Sequence, residues 1–122
     1  MKYKGLLLKE SLNDETVLNL INTTKTEIWD NIQNASKGQP KKWTAIYFEF
    51  EGSEEEAIIK AETLSRALKE MWYMNFSTEE EIYVIYPKNK FYKYVKGDEQ
   101  RKQEAINYGL SIGIPQSQLD WG

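Results

Sequence analysis

The clearest alternation in the chain runs from Trp43 to Glu51. Thr44, Ile46, Phe48 and Phe50 alternate with Ala45, Tyr47, Glu49 and Glu51, the period of a strand with one face on a core. The first set is expected to face inward. Gly52 ends the run and Ser53-Glu54-Glu55-Glu56 follows. In that pattern the serine and the third glutamate satisfy each other's free backbone N–H groups at a helix start. Ala57, Ala61, Leu64, Leu68 and Met71 then fall on one helical stripe. A helix through Met71 is expected, with its alanines set close against a sheet.

The same reading extends to both ends. Residues 2–9 predict a first strand, with Leu6 and Leu8 on one face and Gly5 and Leu7 on the other. Asn13 is the expected N-cap of a helix that carries Val17, Leu18, Leu20 and Ile21. The stretch 22–34 could continue that helical face through Ile28 and Ile32. Its threonines and Ile28-Trp29 favour a second strand, which is the reading adopted. Residues 34–42 are a loop by composition. Ile82–Tyr86 and Phe91–Val95 make a hairpin about Pro87-Lys88-Asn89-Lys90. Gly97-Asp98 opens a last helix with Ala105, Tyr108 and Ile112 on its apolar side, and Gly113-Ile114-Pro115 stops it. Leu119 and Trp121 are expected to fold back on the body. The order β-α-β-β-α-β-β-α predicts a single α+β domain over 1–122. A two-layer sandwich is expected, with a ferredoxin-like βαββαβ core, an added strand and a C-terminal helix.

Composition changes the picture mainly by subtraction. The 122 residues include no histidine and no cysteine. Disulfides, thiol chemistry, Cys/His zinc sites and every triad with a histidine base are excluded. No phosphate-cradling glycine motif occurs, and no cofactor or metal is expected. The net charge of −3 argues against a general nucleic-acid or anionic-membrane binder. The charge is uneven, however: Glu49–Glu81 is acidic and Lys88–Lys102 basic. The start Met1-Lys2-Tyr3-Lys4-Gly5-Leu6-Leu7-Leu8 is too short in apolar residues for a signal peptide, and no membrane span is present, so a cytoplasmic location is expected.

Three surfaces merit weighing. Glu49 and Glu51 leave one face of a strand and could act as an acid–base or cation-holding pair; the plainer reading is charge on an open strand face. Lys88, Lys90, Phe91, Tyr92, Lys93, Tyr94 and Lys96 interleave cations with rings, as a single-stranded nucleic-acid surface does. The glycines of the RNA-recognition motif are missing there, and a hairpin with solubilising lysines explains the pattern as well. The third is a protein-contact face. If Ile46 and Phe48 face the helices, Tyr47 faces away, and Tyr92 and Tyr94 can share its side. Such rings need a cover: a second copy, a partner, or the segment with Leu119 and Trp121. The candidate binding residues are therefore Tyr47, Glu49, Lys90, Tyr92, Lys93 and Tyr94. The favoured function is a non-enzymatic protein-interaction domain, with a homodimer or a protein partner. Nucleic-acid binding and a carboxylate-based enzyme are the alternatives.

Trp43-Thr44-Ala45-Ile46, Tyr94, Gly97-Asp98, Tyr108-Gly109-Leu110-Ser111-Ile112-Gly113-Ile114-Pro115 and Gln118-Leu119-Asp120-Trp121 together give the chain a likeness. It resembles a group of small, uncharacterised bacterial proteins of similar length. The resemblance implies a stand-alone bacterial domain and brings no activity, ligand or catalytic residue with it.

Overall fold

The computed structural model describes residues 1–30, 42–119 and 121. The expected loop over 34–42 lies outside them except for Lys42, as does the end of the expected 22–34 strand. The described chain is mixed α and β, with one antiparallel six-stranded sheet. Its strands are β1 (Lys2–Leu8), β2 (Asn22–Trp29), β3 (Trp43–Glu51), β4 (Met74–Ser77), β5 (Glu81–Tyr86) and β6 (Lys90–Val95). The helices are α1 (Glu54–Arg66) and α2 (Glu99–Ser111), with short 3-10 turns at Lys9–Ser11, Glu15–Leu20 and Gln116–Gln118. Across the sheet the order is β2-β3-β1-β4-β5-β6, and every neighbouring pair is antiparallel.

The periodic segments fold as their patterns predict. Ser53 and Glu56 exchange the two bonds of the capping box at the start of α1. Asp98 caps α2 by accepting from the Arg101 N–H at 3.1 Å. At its other end the Ile114 N–H reaches the Gly109 carbonyl and the Gly113 N–H reaches that of Leu110. Gly113 makes this possible at φ 95°, the left-handed stop that glycine adopts without strain.

Three expectations are corrected. The helix expected from Asn13 is only a 3-10 turn, Glu15–Leu20. Asn13 does not cap it: its backbone N–H bonds the Ala67 carbonyl at 2.8 Å and its side-chain amide donates to the Leu68 carbonyl. Asp14 caps instead, bonding the Thr16 N–H two residues on. The helix expected to reach Met71 ends at Arg66. There the chain leaves to pair with the segment after β1: Lys69 N–H bonds the Ser11 carbonyl at 2.8 Å and Leu12 bridges Leu68. The resulting order is not the ferredoxin-like βαββαβ. No α-helix follows β1, the short strand β4 is added, and the one helical crossover is α1, which joins β3 to β4 on the two sides of β1.

The core explains where the helices go. Alternation along β5 sends Tyr83 and Ile85 to one side of the sheet and Ile82, Val84 and Tyr86 to the other, and all five are buried. Tyr83 and Ile85 join Tyr3, Leu7, Phe48, Phe50 and Phe76 in a core closed by Ala57, Ala61 and Leu64 of α1. Gly5 lets this core close. A Cβ there would lie 2.5 Å from the Phe48 ring and 2.7 Å from Phe76. Ile82, Val84 and Tyr86 join Tyr94, Ala105 of α2, Ile114, Leu119 and Trp121 in a second core. The two helices thus lie on opposite faces, not in one layer as the two-layer expectation had them. A β5 strand buried on both faces requires a cover on each.

Candidate binding face

The face under α2 runs the full width of the sheet, but α2 does not. Register fixes its residues from edge to edge. Lys25, Glu27 and Trp29 of β2 are followed by Ala45, Tyr47 and Glu49 of β3, then Lys4, Leu6 and Leu8 of β1. Asn75 and Ser77 of β4, Ile82, Val84 and Tyr86 of β5, and Tyr94, Tyr92 and Lys90 of β6 complete it. The β5–β6 half is sealed. Trp121 donates its indole N–H to the Tyr94 hydroxyl at 2.6 Å, and Tyr86 donates to the Ala105 carbonyl at 2.6 Å. Tyr73 bonds the Gln118 carbonyl and meets the Trp121 ring at 5.3 Å between centroids. Burial pushes the Tyr86 and Tyr94 phenols above their ordinary value, because a phenolate there would lose its water.

The other half forms an open groove of about 460 Å³. Lys4, Leu6 and Asn75 line it, with Trp29 and Tyr47 on one side and Tyr73 and Trp121 on the other. The Tyr47 hydroxyl faces the Glu27 carboxylate. Their interaction holds the Glu27 carboxyl below its ordinary range and raises the Tyr47 phenol. Lys25 closes the group, 3.4 Å from Glu27 and 5.5 Å from the Tyr47 ring centre. Further along the face Glu49 pairs with Lys2 at 3.6 Å.

The six candidate residues are therefore not one surface. Tyr47 and Glu49 lie on the open half. Tyr92 and Tyr94 share their face but lie under α2 and the C-terminal segment. Tyr92 packs against Tyr86 and Tyr108, and the Lys90 ammonium sits 4.9 Å from the Tyr92 ring centre and 5.4 Å from that of Tyr108. Lys93 is on the opposite face, where register sets it against Tyr83. It is held by Glu54 at the start of α1 and by Glu81 at 3.4 Å. The hairpin's cations and rings thus divide between two faces.

Of the groove residues only Tyr47 was among the six candidates; Lys4, Gly5, Leu6, Trp29, Tyr73, Asn75 and Trp121 were not. Alternation in residues 2–9 already put Leu6 opposite Gly5. What it lacked was the Leu6–Tyr47 register. Asn75 sits in β4, whose Met74-Asn75-Phe76-Ser77 alternates but is only four residues long. Among the described residues no three Asp or Glu side chains gather as metal ligands, and no helix is long and apolar enough to cross a membrane. No protein-family model, curated protein or solved structure matches this chain.

Proposed function

We propose that this chain is a non-catalytic protein-interaction domain and that the open half of the sheet is its contact surface. One observation carries the reading. A single sheet face is sealed over β5 and β6 by a helix and a tryptophan anchor, then left with half-buried Leu6, Trp29 and Tyr47 over β1, β2 and β3. Aromatic and aliphatic groups beside a few placed polar ones are the composition of a contact core, with Tyr and Trp the types most enriched there. The mixed charges around the groove, Lys2, Lys4 and Lys25 beside Glu27 and Glu49, suit a protein surface better than a polyanion. The nucleic-acid reading draws less support, since the hairpin rings pack on Tyr86 and Tyr108 and Lys93 is held by two carboxylates. So does the carboxylate-enzyme reading, because Glu49 is neutralised by Lys2.

A photo-crosslinking amino acid placed at Leu6 tests the proposal, with the same group at Ile59 as control. Ile59 is 64% exposed, on α1. Discrete protein adducts are expected from position 6 only, and Tyr47→Ala should weaken binding of the purified adduct protein about tenfold or more. Equal adducts from both positions, or none from position 6, would overturn the reading.

A further inference from the structure

We propose that β2 is a self-association edge, through which two copies join in one continuous antiparallel sheet with Thr26 on the two-fold axis. This goes beyond the groove reading, since it uses the rim of the sheet and leaves the groove free.

The sheet has two edges, β2 and β6. They differ in what a second copy would meet. β2 is the longer, with eight residues against six, and its side chains are exposed except for the half-buried Glu27 and Trp29. Among the described residues its only sheet neighbour is β3, so its outer rim carries the backbone donors and acceptors of a ladder. Thr23, Thr24, Thr26 and Ile28 are β-branched types that favour that ladder.

The charges then choose the register. Lys25 and Glu27 flank Thr26 on one face. Antiparallel pairing about Thr26 sets Lys25 of each copy opposite Glu27 of the other. Two equivalent ion pairs replace the 3.4 Å contact that each strand makes within itself. Ile28, 54% exposed, then faces Thr24. The ladder ends at the irregularity between Thr23 and Lys25, where a bulge bends the strand away. β6 has no such symmetry. β6 with the following Lys96 carries Lys90, Lys93 and Lys96 and no acidic residue, so no register of self-pairing there gives the opposite-charge pairs that β2 offers, and registers centred on Lys93 are repelling. Pairing through β2 uses that edge in both copies and leaves only the basic one, so assembly closes at a dimer. Lys25 lies beside Tyr47, and the open half-faces of the two copies become neighbours on one surface.

Sedimentation equilibrium from about 10 µM to 1 mM, the range for a small edge contact, tests the pairing. The wild-type chain should dimerise. K25E and E27K should each weaken the dimer about tenfold or more, because both make like charges face each other. Mixed in equal amounts, the two variants should recover it, since both acidic side chains of one copy then face both basic side chains of the other. A second measurement stands apart from charge. The chain has no cysteine, so Thr26→Cys carries a single thiol at the axis. It should form a disulfide dimer under mild oxidation, and Val95→Cys on β6 should not. A monomeric wild type across the range, variants that dimerise like it, or equal disulfide yields at positions 26 and 95 would overturn the proposal. The position-6 crosslinks are scored separately. If they persist while dimerisation fails, only this inference falls.

Discussion

One face of the sheet carries two halves built from similar residues and finished differently. Over β5 and β6, Tyr86 and Tyr94 are sealed, and each phenol has a fixed partner in α2 or Trp121. Over β1, β2 and β3, Tyr47 has its hydroxyl facing Glu27 and stays only half-buried. The difference lies not in residue type, which is tyrosine in both, but in whether the chain supplies a lid. Aromatics under a lid contribute to stability. The same groups without one keep apolar surface in water, and a partner can use that surface.

Removing the lid's anchor should expose this contrast most strongly. Trp121 is 6% exposed and bonded to Tyr94. Trp121→Ala should cost about 3 kcal/mol, read as a lower urea midpoint. Trp29→Ala on the open half should cost less, about 1–2 kcal/mol, because Trp29 is half-buried against the edge of the first core. Equal losses would mean that the two halves do not differ as described.

Alkali should separate the halves next. The Tyr86 and Tyr94 phenols are raised by burial, so the folded state keeps them protonated while the unfolded chain releases its protons near 10. Their contribution is complete below that value and is lost as pH rises through and above it. Tyr47 is raised chiefly by its interaction with Glu27 and stays in contact with water. It should ionise within the folded protein, whereas Tyr86 and Tyr94 should ionise only as the fold opens. Phenolate absorbance followed beside circular dichroism checks this. Reversible ionisation of both sealed rings in the folded protein would refute it.

How much of this was legible follows from where the decisive contacts lie. The sides of β3 and β5, the capping box of α1 and the stop after α2 depend on neighbours a few residues apart, and the patterns Thr44–Phe50, Ser53–Glu56 and Gly113–Pro115 carry them. That Tyr92 and Tyr94 share a side was also legible, because period two fixes it, whereas placing Tyr47 on that side took the register across the sheet. What failed depended on distant partners. Asn13 looked like a cap, but the distant Ala67–Leu68 segment takes both its backbone N–H and its side-chain amide. The apolar stripe to Met71 looked helical until Ser11 drew Lys69 away. Leu119 and Trp121 were expected to fold back, but which half of the face they cover is set by the Tyr94 and Tyr73 contacts. Local alternation assigns a residue to a face of the sheet and is silent on what lies over it. The candidate site, being a difference in cover, was the part least open to reading from the sequence.

The smallest predicted effect asks whether the open half is organised without a lid. Tyr47→Phe removes only the hydroxyl that faces Glu27, and the interaction with it is the largest cause of the depressed Glu27 carboxyl. In the variant Glu27 keeps Lys25 at 3.4 Å but should titrate closer to the ordinary carboxylate value, about 4.3. The sign follows from the depression. In the wild type the interaction favours the folded state above the ordinary value, and the advantage is lost as pH falls through the lower folded-state value. The variant should lose that part of its acid sensitivity. A carboxyl NMR titration reads the change directly, and an unshifted Glu27 would mean the hydroxyl does not organise the group. If the shift is found, Lys25, Glu27 and Tyr47 are fixed in the free domain. A partner arriving at the groove, or a second β2 arriving at the edge, then meets side chains already in place and loses less entropy in ordering them.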